Sequence, residues 1–280
     1  GGAGLAGITL IPGIVAVSRT PAAAEAGTGL QGVYGDIWKQ LGALMEDSMS
    51  FVKSGEQGDV NLYCGCAVLL FAGIYFLNKE IRRTEKIMLG AMALLYFAGF
   101  HITALNLLFH GMHKPVGIPN RFAFILIFLL LKISCDAWGK LEKESGKRIL
   151  AGFILAEIFC TVVGLKSGKG LGTLLTDGVI AAFFLPVWTG SFLCGKLPSH
   201  PLGRVEIRKI VSLVLAVMIL AETGIHGVFS ITDNGTANRD VYAESDREVT
   251  SLMKKTGADQ VNYRSAIVNP LVRNEEMLYQ

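Results

Sequence analysis

The chain has 280 residues, 51% of them hydrophobic and 18% charged, with a mean hydropathy of +0.46. A soluble domain carries about 25% charged residues, and here the apolar residues are gathered into runs, so a soluble fold is excluded in favour of a polytopic membrane protein. The net charge of +3 points to no nucleic-acid partner.

The first apolar segment, residues 3–17, is broken by Pro12-Gly13 and is shorter than the roughly 20 residues a spanning helix needs. The chain opens inside this apolar run and closes on RNEEMLYQ, which leads us to expect an internal piece of a longer protein with its first span truncated. Residues 18–59 form a polar connection. Within it Ile37, Trp38, Leu41, Leu44 and Met45 recur at helical spacing, with Asp36, Lys39, Glu46 and Asp47 between them. That pattern predicts an amphipathic helix over 36–53, lying on the membrane surface.

Further spans are expected at 60–77, 87–109, 122–138, 149–165, 171–194 (with Pro186 inside) and 210–229, about seven in all. Residues 1–230 thus form a transmembrane domain. The remainder, 231–280, is soluble in character: Ser245 with Glu248 makes a capping box, a helix runs to Lys255 with Gly257 as its cap, and 261–268 reads as a strand. The fold class is therefore all-α and polytopic, followed by the start of an extracytoplasmic α/β domain.

Orientation comes from basic residues. The loops around Arg82, Lys143 and Arg204 hold twelve, whereas the opposite set holds seven over a longer stretch. The richer set is assigned to the cytoplasm. This puts the amphipathic helix, the insert HGMHKPVGIPNR (110–121) and the C-terminal tail on the outer face.

The insert is too rich in Pro and Gly to be helical. It carries His110, His113, Lys114 and Arg121, which suit the phosphate of a lipid headgroup; the bland alternative is a set of interfacial anchors reaching to water. Inside the spans, Lys132 and Asp136 are four apart and can pair. Glu157, Asp177, Glu222 and His226 are intramembrane polar candidates, either functional or tying the bundle together. An isolated carboxylate at the depth of Glu157 costs roughly 3 kcal/mol or more. Cys64-Gly65-Cys66 lacks a second pair at ligand spacing, so no metal site is assigned, and GLKSGKGLG lacks the spacing of a phosphate loop.

The run NLLFHGMHKPVGIPNRFAFILIFLLL, with VNLYCG, FLNKEIRRTEKI and NYRSAIVNPLVRNEEMLYQ in the same order, resembles the YfhO family of bacterial membrane proteins over essentially all 280 residues. Asn120 stands where the family pattern has an aromatic residue before the arginine. The resemblance implies a GT-C-like glycosyltransferase of the bacterial cytoplasmic membrane. It would move a sugar from a polyprenyl-phosphate carrier to a cell-envelope polymer such as a teichoic acid. The catalytic carboxylate of such enzymes lies in a first outer loop, expected before Gly1, so it is assigned to no residue here. A divalent metal is left open as a cofactor. The competing reading is a transporter or flippase of a lipid-linked precursor, with Glu157, Asp177, Glu222 and His226 along a polar path.

Overall fold

The structure, a computed structural model, describes residues 35–45, 60–111, 120–141, 144–196 and 201–233, with positions 12, 15, 247, 248, 250–252, 254 and 255. The chain divides into two units, Gly1–Ser230 and Ile231–Gln280. In the first, the described elements are helices: α1 (Ile37–Gly42), α2 (Cys66–Leu77), α3 (Arg83–His101), α4 (Thr103–Phe109), α5 (Ala123–Gly139), α6 (Gly146–Ser167), α7 (Gly170–Lys196) and α8 (Pro201–Asp233), which ends just past the division. In the second unit the described positions between 247 and 255 are helical, while Ser245, Gly257 and the expected strand at 261–268 lie outside the described residues. No strand occurs among the described residues.

Among the described residues three helices are long and apolar enough to cross a bilayer: α6, α7 over Gly170–Cys194, and α8 over Val205–Thr232. The protein is thus all-α and multi-pass. The first expected span, 3–17, lies outside the described residues apart from positions 12 and 15, and the expected spans at 60–77 and 87–109 differ from simple crossings for local reasons. The stretch 60–77 becomes helical only at Cys66, because Gly65 adopts φ +99 and ends an extended entry segment. That leaves α2 with 12 residues, about 18 Å of helix. The stretch 87–109 is two helices, α3 and α4, divided at Ile102 (φ −93, ψ 115). α3 also starts before the apolar run, with Arg83, Glu85 and Lys86 in its first turn, while α5, 17 residues long, covers the span expected at 122–138.

α2 is the hub, packed on α5, α6 and α7. Its approach to α6 rests on paired glycines. A Cβ on Gly73 would stand 2.4 Å from the Gly152 carbonyl oxygen, and one on Gly152 would stand 2.8 Å from the Ile74 backbone. Small residues let membrane helices touch through their backbones, where dispersion replaces the missing hydrophobic drive. The buried core gathers around Leu70, Ile74, Tyr75, Ile149, Cys160, Ile180 and Phe183. Apolar residues elsewhere on α6, α7 and α8 face outward, as Leu165, Leu174 and Leu220 do at 78%, 72% and 72% exposure. A lipid solvent tolerates this and water does not.

The start of α2 is sunk below its neighbours. Ser134, eleven residues along α5, donates to the Val68 carbonyl at 3.3 Å. At 1.5 Å per residue this sets Cys66 roughly 13 Å below the start of α5. The Gly73–Gly152 contact gives a similar answer, roughly 12 Å below the end of α6.

α1 does not lie free on a surface over its described length, contrary to the sequence expectation. Gln40, Gly42, Ala43, Leu44 and Met45 are buried, and Gly42 abuts Ser167 at the end of α6. Asp36 caps the helix through Trp38 and Lys39 N–H groups. Of the recurring apolar residues Leu44 and Met45 are buried, Trp38 and Leu41 are half-buried and Ile37 is exposed, whereas Gln40 and Gly42, outside that pattern, are buried against protein. Residues 46–53 of the expected helix lie outside the described residues.

At the opposite end of α2 a polar knot closes the bundle. The Glu144 side chain is fully buried, paired with Arg148, and accepts the Lys79 N–H at 3.1 Å. Lys86 Nζ donates to the Phe76 and Asn78 carbonyls, taking orphan acceptors at the end of α2. Burial holds Lys86 below the usual lysine value, against the pull of Glu144.

Candidate functional site

The sunken start of α2 positions a polar cluster. Asn61 Oδ1 accepts the Tyr63 N–H at 3.2 Å, a local turn that aims the tyrosine. Gly65 then redirects the chain so that the first amides of α2 point at α8. Glu222 of α8 meets them there. Its Oε1 accepts the Tyr63 hydroxyl at 2.7 Å and the Cys66 N–H at 2.7 Å. A carboxylate at a helix N-terminus is favoured by the helix dipole and by the otherwise unsatisfied amide. His226, one turn along α8, stacks on the Tyr63 ring with centroids 4.1 Å apart. Glu222 and His226, singled out by sequence, are thus brought together. Tyr63 and the Cys66 amide were not foreseen; the Gly between two cysteines was the only mark of the turn that recruits them.

The second assembly surrounds the α3–α4 break. Interrupting a helix frees carbonyls that lipid cannot satisfy. Asn106 Nδ2 donates to the Gly99 carbonyl at 3.0 Å, and Gln40 Nε2 of α1 donates to the Phe100 carbonyl at 3.2 Å. Asn106 also donates to Asn120 Oδ1 at 3.0 Å, while His110 Nδ1 lies 2.8 Å from the Asn106 carbonyl oxygen. Phe122 packs on Phe100, Phe109 and His110. The two ends of the 110–121 insert are therefore fastened side by side, with Asn120 buried and Arg121 exposed. An aromatic residue at 120 could not make the Asn106 bond. His113 and Lys114 lie outside the described residues.

A third group lies between α6 and α7. Glu157 and Asp177 are neighbours there, and Glu157 Oε1 and Asp177 Oδ1 are buried with no hydrogen-bond partner among the described residues. Lys132 and Asp136 pair as their spacing predicted. Among the described residues no three His, Cys, Asp or Glu side chains group as a metal site would require.

Neither a curated protein nor a solved structure matches the chain. A family model described as bacterial membrane protein YfhO matches residues 2–280. With that match spanning nearly the whole chain, and with its helices suited to a bilayer, the protein belongs to the YfhO family of bacterial membrane proteins.

Proposed function

We propose that the protein is a GT-C-like membrane glycosyltransferase that moves a sugar from a polyprenyl-phosphate carrier to a cell-envelope polymer, such as a teichoic acid, on the outer face. The observation that carries this reading is the clamp at the insert. Asn106, Asn120 and Phe122 hold its two ends together, so less freedom is lost when an anionic headgroup docks. His110, His113, Lys114 and Arg121 are the phosphate contacts. Arg121 provides a planar fork able to hold two phosphate oxygens, Lys114 a point charge, and the histidines single donors. A base carboxylate deprotonates the acceptor hydroxyl as the carbon–oxygen bond to the sugar forms, and the lipid phosphate leaves with its electron pair.

The test is sugar transfer by the full-length protein in proteoliposomes. Arg121→Lys keeps the anchor and the charge but loses the fork, so transfer should fall at least tenfold, with His110→Ala lower as well. Parental transfer in both variants, at equal insertion, would remove the insert as the donor site.

The transporter reading keeps one observation of its own, the Glu157–Asp177 pair within the bundle. It is separated by the same vesicles with acceptor left out. Movement of the lipid-linked sugar between leaflets, stopped by Glu157→Gln, would favour transport over transfer.

A further inference from the structure

The polar cluster on Glu222 stands at the head of an apolar groove. Next to it a cavity of about 330 Å³ lies between α2, α5 and α8, lined by Ala67, Val68 and Phe71 of α2, Leu131 and Cys135 of α5, and Ala216 of α8, among others. Leu215, Ala216, Ile219, Glu222 and His226 follow one another at helical spacing, so the stripe that lines the groove continues into the cluster. The rim is open: Leu131 and Ile219 are 41% and 44% exposed. Of its walls, α8 is long and apolar enough to cross a bilayer and is only 6% buried over its most apolar stretch.

We propose that the groove and the cluster together bind an amphiphile, a lipid whose hydrocarbon chain lies along α2, α5 and α8 and whose uncharged, hydroxyl-rich head reaches Glu222. The chain is assigned because the lining is apolar and opens toward the bilayer core. The head is assigned from the carboxylate. Its charge is already met by the Tyr63 hydroxyl and the first amide of α2, both on Oε1, so the site needs hydrogen-bond donors and not a counter-charge. A carboxylate has room for about four such bonds, and Oε2 takes none from a described residue. Sugar or glycerol hydroxyls are donors of the right kind. A phosphate would meet like charge, because no Lys or Arg forms an ion pair with Glu222 among the described residues. This site is separate in chemistry from the cationic insert, and it does not depend on the transferase reading.

The experiment counts lipids retained by the full-length protein in native mass spectrometry. The protein is released from nanodiscs holding equal parts of a glucosyl diacylglycerol, phosphatidylglycerol and phosphatidylethanolamine. The glycolipid should be retained at least fivefold over either phospholipid. Glu222→Gln leaves an acceptor for Tyr63 and Cys66 but removes the charge, and should lose most of that preference. Ala216→Phe fills the groove and should lose retention of all chains there. Equal retention of the three lipids, or a preference unchanged in both variants, overturns the proposal. A photoreactive group on Cys135 gives a readout independent of Ala216→Phe folding. It should crosslink to the glycolipid in the parent, whereas crosslinking to all lipids alike, or to another segment of the protein, rejects the site.

Discussion

Gln40 shows how one side chain converts a helix break into a stable feature. The α3–α4 break leaves the Phe100 carbonyl without a helical partner, and the Gln40 amide, 2% exposed, supplies the bond from a helix sixty residues away. Removing the donor leaves a buried carbonyl unpaired, at a cost of about 1–3 kcal/mol. Gln40→Ala should therefore lower the thermal midpoint of the purified protein in detergent, measured by tryptophan fluorescence. An unchanged midpoint would mean that water replaces the amide. Asn106 plays the same part for Gly99 and adds the tie to Asn120, so it bears on the insert as well as on the break.

At the scale of elements, the α2–α6 contact sets the depth at which α2 begins, and with it the height of the Glu222 cluster. The contact depends on two glycines whose backbones nearly touch. Gly152→Ala places a methyl against the Ile74 backbone, and backbone atoms cannot move aside as a flexible side chain would. Overpacking of this kind costs about 1–3 kcal/mol. The expected result is a lower unfolding midpoint together with new labelling of Cys160, which is fully buried about two turns along α6 from Gly152 in the parent. Gly139→Ala, with nothing within 4 Å of the added carbon, is the control and should leave both unchanged.

For the whole molecule the open quantity is direction. Loops rich in Lys and Arg are held on the cytoplasmic side during insertion, which predicts the Arg82 loop inside and the 110–121 insert outside. In intact cells, with native cysteines removed, Lys114→Cys should react with an impermeant maleimide and Arg82→Cys should react only after the membrane is opened. The reverse pattern would put both the insert and the Glu222 cluster on the wrong side for an extracytoplasmic transfer.

Class and helix placement were legible in the sequence because both follow from local quantities. Runs of apolar residues near 20 long announce helices in lipid whatever they pack against, and α5, α6, α7 and α8 fall where those runs lie. The Lys132–Asp136 pair was legible for the same reason, since spacing within one helix fixes a shared face. Spacing also placed Glu222 beside His226. The partners across the bundle were not legible: Tyr63 is 159 positions from Glu222, and no periodicity links an extended segment to a distant helix. Nor could composition tell that α1 buries against α6 and α3, since an amphipathic pattern marks an apolar face without saying whether lipid or protein covers it. The depth of α2 was decided by tertiary packing alone. Gly65 permits the turn, but the Gly73–Gly152 contact and the Ser134 bond determine how far down the bundle that turn occurs.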